Sequence, residues 1–330
     1  NAVDDEGMTA LVCAAWCPDS DMVKMLLEHG GSDVNHHSWK RGTALQAAAA
    51  KGSEDCCEVL LEHGANVNGP PESTVAPPIW LAAKEGDLEC FQILMEKRAD
   101  LHFREHEKEV GSLLAAAIIG GDREIVDTLL NDHIPIETPL GEHGTALQLA
   151  ILHSTWDDDD TRTQLMRSFF DREEKPDVNQ IGGKYHTALQ VACYRGNQNV
   201  VDLVLQHDPD ISITGGFYNT ALAAAAAEND INTIDKLEEH YGDRITQEMQ
   251  DEALHYALHY EKQCSMEKLL AMGADILSVG KWGTVLECNA KGLPDEDKNS
   301  DDPEAGEEEE EEDEVCSYLI FTIYIFPLFR

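Results

Sequence analysis

Apolar residues recur along this chain in paired blocks separated by polar loops that carry glycine. The first block of a pair is short, rich in alanine and follows a threonine, as in Gly42-Thr43-Ala44-Leu45-Gln46-Ala47-Ala48-Ala49-Ala50. The second places Val23, Leu26 and Leu27 at the i, i+3, i+4 spacing of a one-sided helix. Threonine is a good N-cap, and Gly7 permits the turn that leads into it. Each pair predicts a helix, a tight turn, a second helix and a loop to the next threonine. Aligned on one leucine, the blocks fall at Leu11, Leu45, Leu81, Leu114, Leu147, Leu189, Leu222, Leu254 and Leu286, with intervals of 34, 36, 33, 33, 42, 33, 32 and 32 residues.

A fixed internal period overrides the length prior for two or three ordinary domains. The threonine blocks at Thr43–Ala48, Thr145–Ala150 and Thr187–Ala192 resemble the ankyrin pattern T-P-L-H-x-A, with Ala and Gln in place of Pro and His. Leu60-Leu61-Glu62-His63-Gly64-Ala65-Asn66-Val67-Asn68 is similar to that family's second-helix ending, and Asp33-Val34-Asn35, Asp177-Val178-Asn179 and Gly273-Ala274-Asp275-Ile276 repeat parts of it. The resemblance implies an all-α repeat solenoid of about eight to nine helix-turn-helix units with short hairpin-like loops over residues 1–292, the first and last incomplete. The loops around Gly182–Thr187 and Gly215–Thr220 further resemble ankyrin arrays of large filamentous-fungal proteins, which often sit behind an NTPase-type or hydrolase domain. The chain starts without Met inside the pattern and reads as a fragment.

Some units depart from the pattern. Pro78-Ile79-Trp80-Leu81 lacks the capping threonine, Arg98 stands where a helix-ending glycine is expected, and Glu238 falls where other units have Leu. The eighth unit replaces the cap by Glu252-Ala253-Leu254-His255. The long interval before Leu189 points to an insertion at Thr155-Trp156-Asp157-Asp158-Asp159-Asp160. Central and late repeats are therefore expected to be the least stable.

Beyond the array, residues 293–314 include six consecutive glutamates at 307–312 and read as an acidic disordered linker. Val315–Phe329 is a run of fifteen uncharged residues, short of the roughly twenty that span a bilayer as a helix. For the 315–330 tail a membrane anchor, a hydrophobic docking strand and a mis-spliced end all remain open.

Charge narrows the partners. The net charge is −40, and Pro294–Glu314 supplies fourteen acids against one lysine, so the array itself is acidic. Such a surface repels phosphate backbones and anionic lipid, which sets nucleic acid aside and favours a protein partner with a basic or mixed surface. A membrane contact would need the tail. The nine cysteines show neither a disulfide framework nor a paired CxxC, and they read as reduced, buried small hydrophobes. That fits a cytoplasmic protein, or a nuclear one.

No catalytic constellation emerges. His255 and His259, like His102 and His106, are four apart on one helix face but lack a third metal ligand and a base. Asp157–Asp160 lacks the alternating ligands and turn glycine of a calcium loop. Gly182-Gly183-Lys184 lacks the earlier glycine and following hydroxyl of a phosphate loop. No cofactor or metal is implied. What remains is surface: the resemblance implies loops that project as fingers and form, with the exposed first-helix face, a concave binding surface. The candidate contacts are Trp39, Lys40, Arg41, Lys184, Tyr185, Phe217, Tyr218, Lys281 and Trp282, aromatics beside cations on an acidic protein. The function expected is a non-catalytic scaffold; the alternative is the sensor arm of a larger NTPase-type enzyme.

Overall fold

The computed structural model describes residues 2–29, 31–71, 73–102, 112–132, 134–136, 140, 143–153, 159–173, 175–280 and 283–284. The acidic segment 293–314, the tail 315–330, the ninth anchor Leu286, and Lys281 and Trp282 lie outside them. The chain divides into two units, Asn1–Ala221 and Leu222–Arg330.

In the first unit, first helices α1 (Ala10–Trp16), α3 (Ala44–Ala49), α5 (Pro78–Glu85), α7 (Leu113–Gly120), α9 (Ala146–Leu152) and α11 (Ala188–Arg195) alternate with second helices. The latter are α2 (Ser20–His29), α4 (Glu54–Glu62), α6 (Leu88–Glu96), α8 (Arg123–Asn131), α10 (Asp159–Phe170) and α12 (Gln198–Leu205). Each first helix packs against its own second helix and the next first helix, and the second helices form another row. The fold is an all-α repeat stack.

Small side chains make the rows tight. Ala47, Ala48 and Ala49 are buried on α3, and six of the eight residues of α7 are buried. At Gly120 a Cβ would lie 2.1 Å from the Ala83 carbonyl oxygen, so glycine is what lets α7 approach α5. Second helices are one-sided: α8 buries Ile125, Val126, Leu129 and Leu130 and exposes its polar face.

The second unit holds all but the first residue of α13 (Ala221–Ala227), then α14 (Ile231–Tyr241), a 3₁₀ turn at Gly242–Arg244, α15 (Gln247–His259) and α16 (Gln263–Met272). A small hairpin follows, β1 (Val279–Gly280) against β2 (Gly283–Thr284), with Val279 opposite Thr284. Thr246 caps α15 by accepting the Met249 N–H, so the eighth repeat has its threonine, placed well upstream of the expected position.

Several other expectations change. Pro77 is the N-cap of α5, and the residue two positions on, Ile79, is fully buried whereas Leu81 is only half-buried. The third anchor is thus Ile79, and the residue after it, Trp80, occupies the place of Gln46. Thr155–Asp158 lies outside the described residues, but Asp159 and Asp160 open α10. Part of the insertion therefore lengthens a second helix. Arg98 adopts φ 61°, the left-handed conformation that Gly64 takes at φ 85°. Glu238 does not leave a gap: its carboxylate accepts from Lys268 Nζ at 2.7 Å, and Asp235 lies 2.5 Å from the same amine.

Candidate partner-binding face

The fingers are positioned by a buried amide. Thr43 caps α3 by accepting the Gln46 N–H, and Gln46 Oε1 accepts the Thr43 N–H at 2.8 Å. The same reciprocal box joins Thr145 to Gln148 and Thr187 to Gln190. Each glutamine then donates its Nε2–H₂ to the following finger. Gln46 reaches the Val75 and Ala76 carbonyls at 3.0 and 2.9 Å, Gln148 those of Gln180 and His186 at 3.0 Å, and Gln190 those of Gly215 and Asn219 at 3.0 and 2.8 Å. All three side chains are buried. Before two of the threonines the chain turns through glycine, with Gly42 and Gly144 at φ 72° and 79°. A Cβ there would strike Gln46 Oε1 or Gln148 Oε1. His186 and Asn219 hold the same left-handed conformation at φ 77° and 60°.

The finger at 38–42 lacks this brace, because the corresponding residue of the first repeat is Val12. It closes on itself through an antiparallel bridge between Ser38 and Gly42. His36 Nε2 lies 3.1 Å from the Gly7 carbonyl oxygen, and Lys40 forms an ion pair with Glu6. Trp39 is 64 % exposed and leans on Gly7, where a Cβ would come within 3.3 Å of its ring. The Arg41 guanidinium stacks on Trp16 with its carbon 3.3 Å from the ring centroid, and Lys51 Nζ lies 4.2 Å from the same centroid. Trp16 is the last residue of α1.

A second cluster forms around Tyr185, Tyr194, Phe217 and Tyr218. Tyr185 stacks on Tyr194 at 4.5 Å, Phe217 meets Tyr218 edge-on at 4.8 Å, and Tyr194 lies 5.6 Å from Tyr218. Lys184 Nζ stands 4.9 Å from the Phe217 ring, and its carbonyl accepts the Phe217 N–H at 2.9 Å, joining two fingers. Tyr218 is buried while Tyr185, Tyr194 and Phe217 are half-exposed. The structure therefore groups Trp39, Lys40 and Arg41 in one place and Lys184, Tyr185, Phe217 and Tyr218 in another. Sequence reasoning missed Trp16, Lys51 and Tyr194, which face these fingers from the first helices; their signal was an aromatic or a cation at the end of a first-helix block.

Other candidate chemistry finds structural roles. His255 takes the position of the glutamines: it is buried, its Nε2 lies 3.1 Å from Ser278 Oγ, and burial lowers its pKa. His106 lies outside the described residues. Among those described, no group of three His, Cys, Asp or Glu could hold a metal ion. Cys56, Cys57, Cys90 and Cys193 are buried, but Cys17 and Cys264 are exposed, against the expectation of core filling. The Cys90 and Cys57 sulfurs are 3.7 Å apart, and that hydrogen bond together with burial pushes the Cys90 thiol up, which keeps it un-ionised. A cleft of about 450 Å³ lies between α10 and α12, lined by Asp160, Thr163, Gln164, Arg167, Asn199 and Asp202 among others. No described helix is long and apolar enough to cross a membrane.

Paired helices, capping boxes that reach across repeats and projecting fingers define a helical repeat protein of the stacked-solenoid class. The fold is the ankyrin-repeat fold, and over the first third of the chain the family profile described as "Ankyrin repeats (3 copies)" matches residues 1–71 and 30–105. The chain is similar to the ankyrin repeat domain of human ASB11, at 25% identity and a TM-score of 0.59, over 71% of this chain and 99% of that one. It also shares its fold with the ankyrin repeat domain of Bcl-3, a member of the IkappaB protein family, at 20% identity and a TM-score of 0.53, over 71% and 100% of the two chains. No curated protein matches the sequence. Ankyrin repeats are protein–protein interaction modules and as domains are typically non-catalytic.

Proposed function

We propose that this chain is a non-catalytic scaffold that binds another protein through the concave face made by its fingers and first helices. The observation that carries the reading is an exposed tryptophan at a finger tip, Trp39, together with a half-exposed ring cluster at Tyr185, Tyr194 and Phe217. Large rings held by a rigid frame and ringed by polar groups are the composition of an interaction hot spot. Lys281 and Trp282, the remaining candidates, lie outside the described residues. The acidic linker at 293–314 and the tail beyond it stay outside the array in this reading. It is unaffected by whether an NTPase-type catalytic domain belongs to a longer protein. Exposed free thiols at Cys17 and Cys264 fit a reducing compartment, the cytoplasm or nucleus.

The test is recovery of a partner from native extract by the intact chain and by two variants. Trp39→Ala combined with Tyr185→Ala and Phe217→Ala should remove a partner that the intact chain retains. Substituting Lys24, Glu58 and Gln92, exposed on the second helices, should leave recovery unchanged. Retention by the finger variant, or equal loss in both, would contradict the reading.

A further inference from the structure

The net charge argues for a basic partner, but the charge at the first fingers is reversed. Of the seven lysines and arginines in residues 1–102, four lie on the finger at 38–42 or at the ends of first helices: Lys40, Arg41, Lys51 and Lys84. Lys40 is neutralised by Glu6. Among the described residues, Arg41, Lys51 and Lys84 have no carboxylate partner. Two of these cations share one ring, both within 4.2 Å of the Trp16 centroid, and Arg41 Nε is buried with no hydrogen-bond acceptor. Two acids near Arg41, Asp4 and Glu6, are already engaged. Asp4 Oδ1 accepts the N–H groups of Glu6 and Met8 at 2.9 Å, and Glu6 holds Lys40.

Two cations stacked on one indole concentrate positive charge that an anionic group would balance, and a guanidinium donor without an acceptor is incomplete. Trp39 stands beside them, 64 % exposed. Resting on the scaffold reading above, we infer that the face formed by Trp16, Arg41, Lys51 and Lys84 takes an acidic peptide segment of a protein partner. Carboxylates of the segment accept from Arg41, Lys51 and Lys84, and an adjacent apolar side chain covers Trp39. Lys84 belongs to the same run because α5 packs directly on α3, the helix that Lys51 follows. The tyrosine cluster carries a single cation, Lys184, already stacked on Tyr185 and Phe217, and offers no such pairing.

The probe is a short fluorescent glutamate-rich peptide with one central leucine, titrated into the full chain at several salt concentrations. It should bind, weaken steeply as salt rises, and lose at least about tenfold in affinity when Arg41, Lys51 and Lys84 are all changed to Gln. Lys24→Gln with Lys97→Gln, which removes two positive charges away from the face, should change affinity less than about twofold. Circular dichroism and thermal melts of the triple variant exclude loss of fold as the cause. A leucine-bearing phosphopeptide that binds while the glutamate peptide does not would overturn the assignment of a carboxylate ligand. Absence of binding at low salt, or equal affinity in the triple variant, would overturn the site. A partner lost on substituting the aromatic fingers yet indifferent to the three cations would overturn this inference and leave the scaffold reading standing.

Discussion

Trp16 with Arg41 and Tyr194 with Tyr218 occupy the same two places in the repeat, five residues past the anchor of a first helix and one residue before the next finger's left-handed position. In the first pair a guanidinium covers an indole at 3.3 Å; in the second a phenol ring meets another phenol at 5.6 Å. Their supports differ as well. The finger of Tyr218 is held from below by Gln190, while the finger of Arg41 has Val12 beneath it and relies on an ion pair, a histidine contact and the stacked guanidinium. One scaffold position is thus filled in two ways. The tyrosine version is apolar and carries a buried Tyr218; the arginine version is half-buried and charged, with no carboxylate partner among the described residues. The first reads as structure with a binding edge, the second as a binding site with little structure of its own.

The comparison can be broken most forcefully at the buried side. Tyr218→Ala should cost about 3 kcal/mol in urea unfolding, as expected for emptying a buried aromatic site, whereas Trp39→Ala should cost under about 1 kcal/mol. Equal costs would erase the distinction. Gln190→Ala should cost about 2 kcal/mol, because it strands the Gly215 and Asn219 carbonyls in a low-dielectric layer. In the same experiment Val12→Gln should leave stability within about 1 kcal/mol and slow amide exchange at Gly42, the effect of adding the missing brace. Arg41→Ala should cost about 1 kcal/mol, near the worth of a part-exposed cation–π contact.

A smaller effect extends the brace comparison to the second unit. His255 fills the glutamine position and burial lowers its pKa, despite the Ser278 hydrogen bond and the Asp251 charge that oppose the shift. A base whose folded pKa is depressed is stabilised in its neutral form. Its contribution is fully present above the unfolded value near 6.5 and is lost as pH falls from there through the folded pKa. Unfolding followed by a probe in the second unit should therefore weaken as pH falls below about 6.5, and His255→Gln should flatten that slope. The smallest effect is a gain: Arg98→Gly should add up to about 1 kcal/mol by relieving the left-handed backbone.

Much of the stack was legible because its signals are local. The threonine caps at Thr9, Thr43, Thr145 and Thr187 and the i, i+3, i+4 faces lie within about one helix turn of their partners, and the period repeats them. The third anchor was misread because Pro77 replaces the capping threonine and the anchor itself is an isoleucine, Ile79, with Leu81 the nearest leucine. The glutamines were visible as part of a pattern, but their task was not, since their partners are 25 to 38 residues away. Trp16 and Tyr194 went unnoticed for the same reason: a first-helix end gains meaning only when the next finger folds over it. The candidate residues split accordingly. Trp39 is open, Arg41 and Tyr185 are engaged with rings of the first helices, and Tyr218 is buried.

The most direct test is to place a photo-crosslinking phenylalanine analogue, one chain at a time, at 39, 51 and 217 on the finger side and at 24, 58 and 92 on the second helices. Irradiation in native extract should join the same partner to the first three positions and to none of the last three. Crosslinks that form equally from both sides, or only from the second helices, would contradict binding through the finger face.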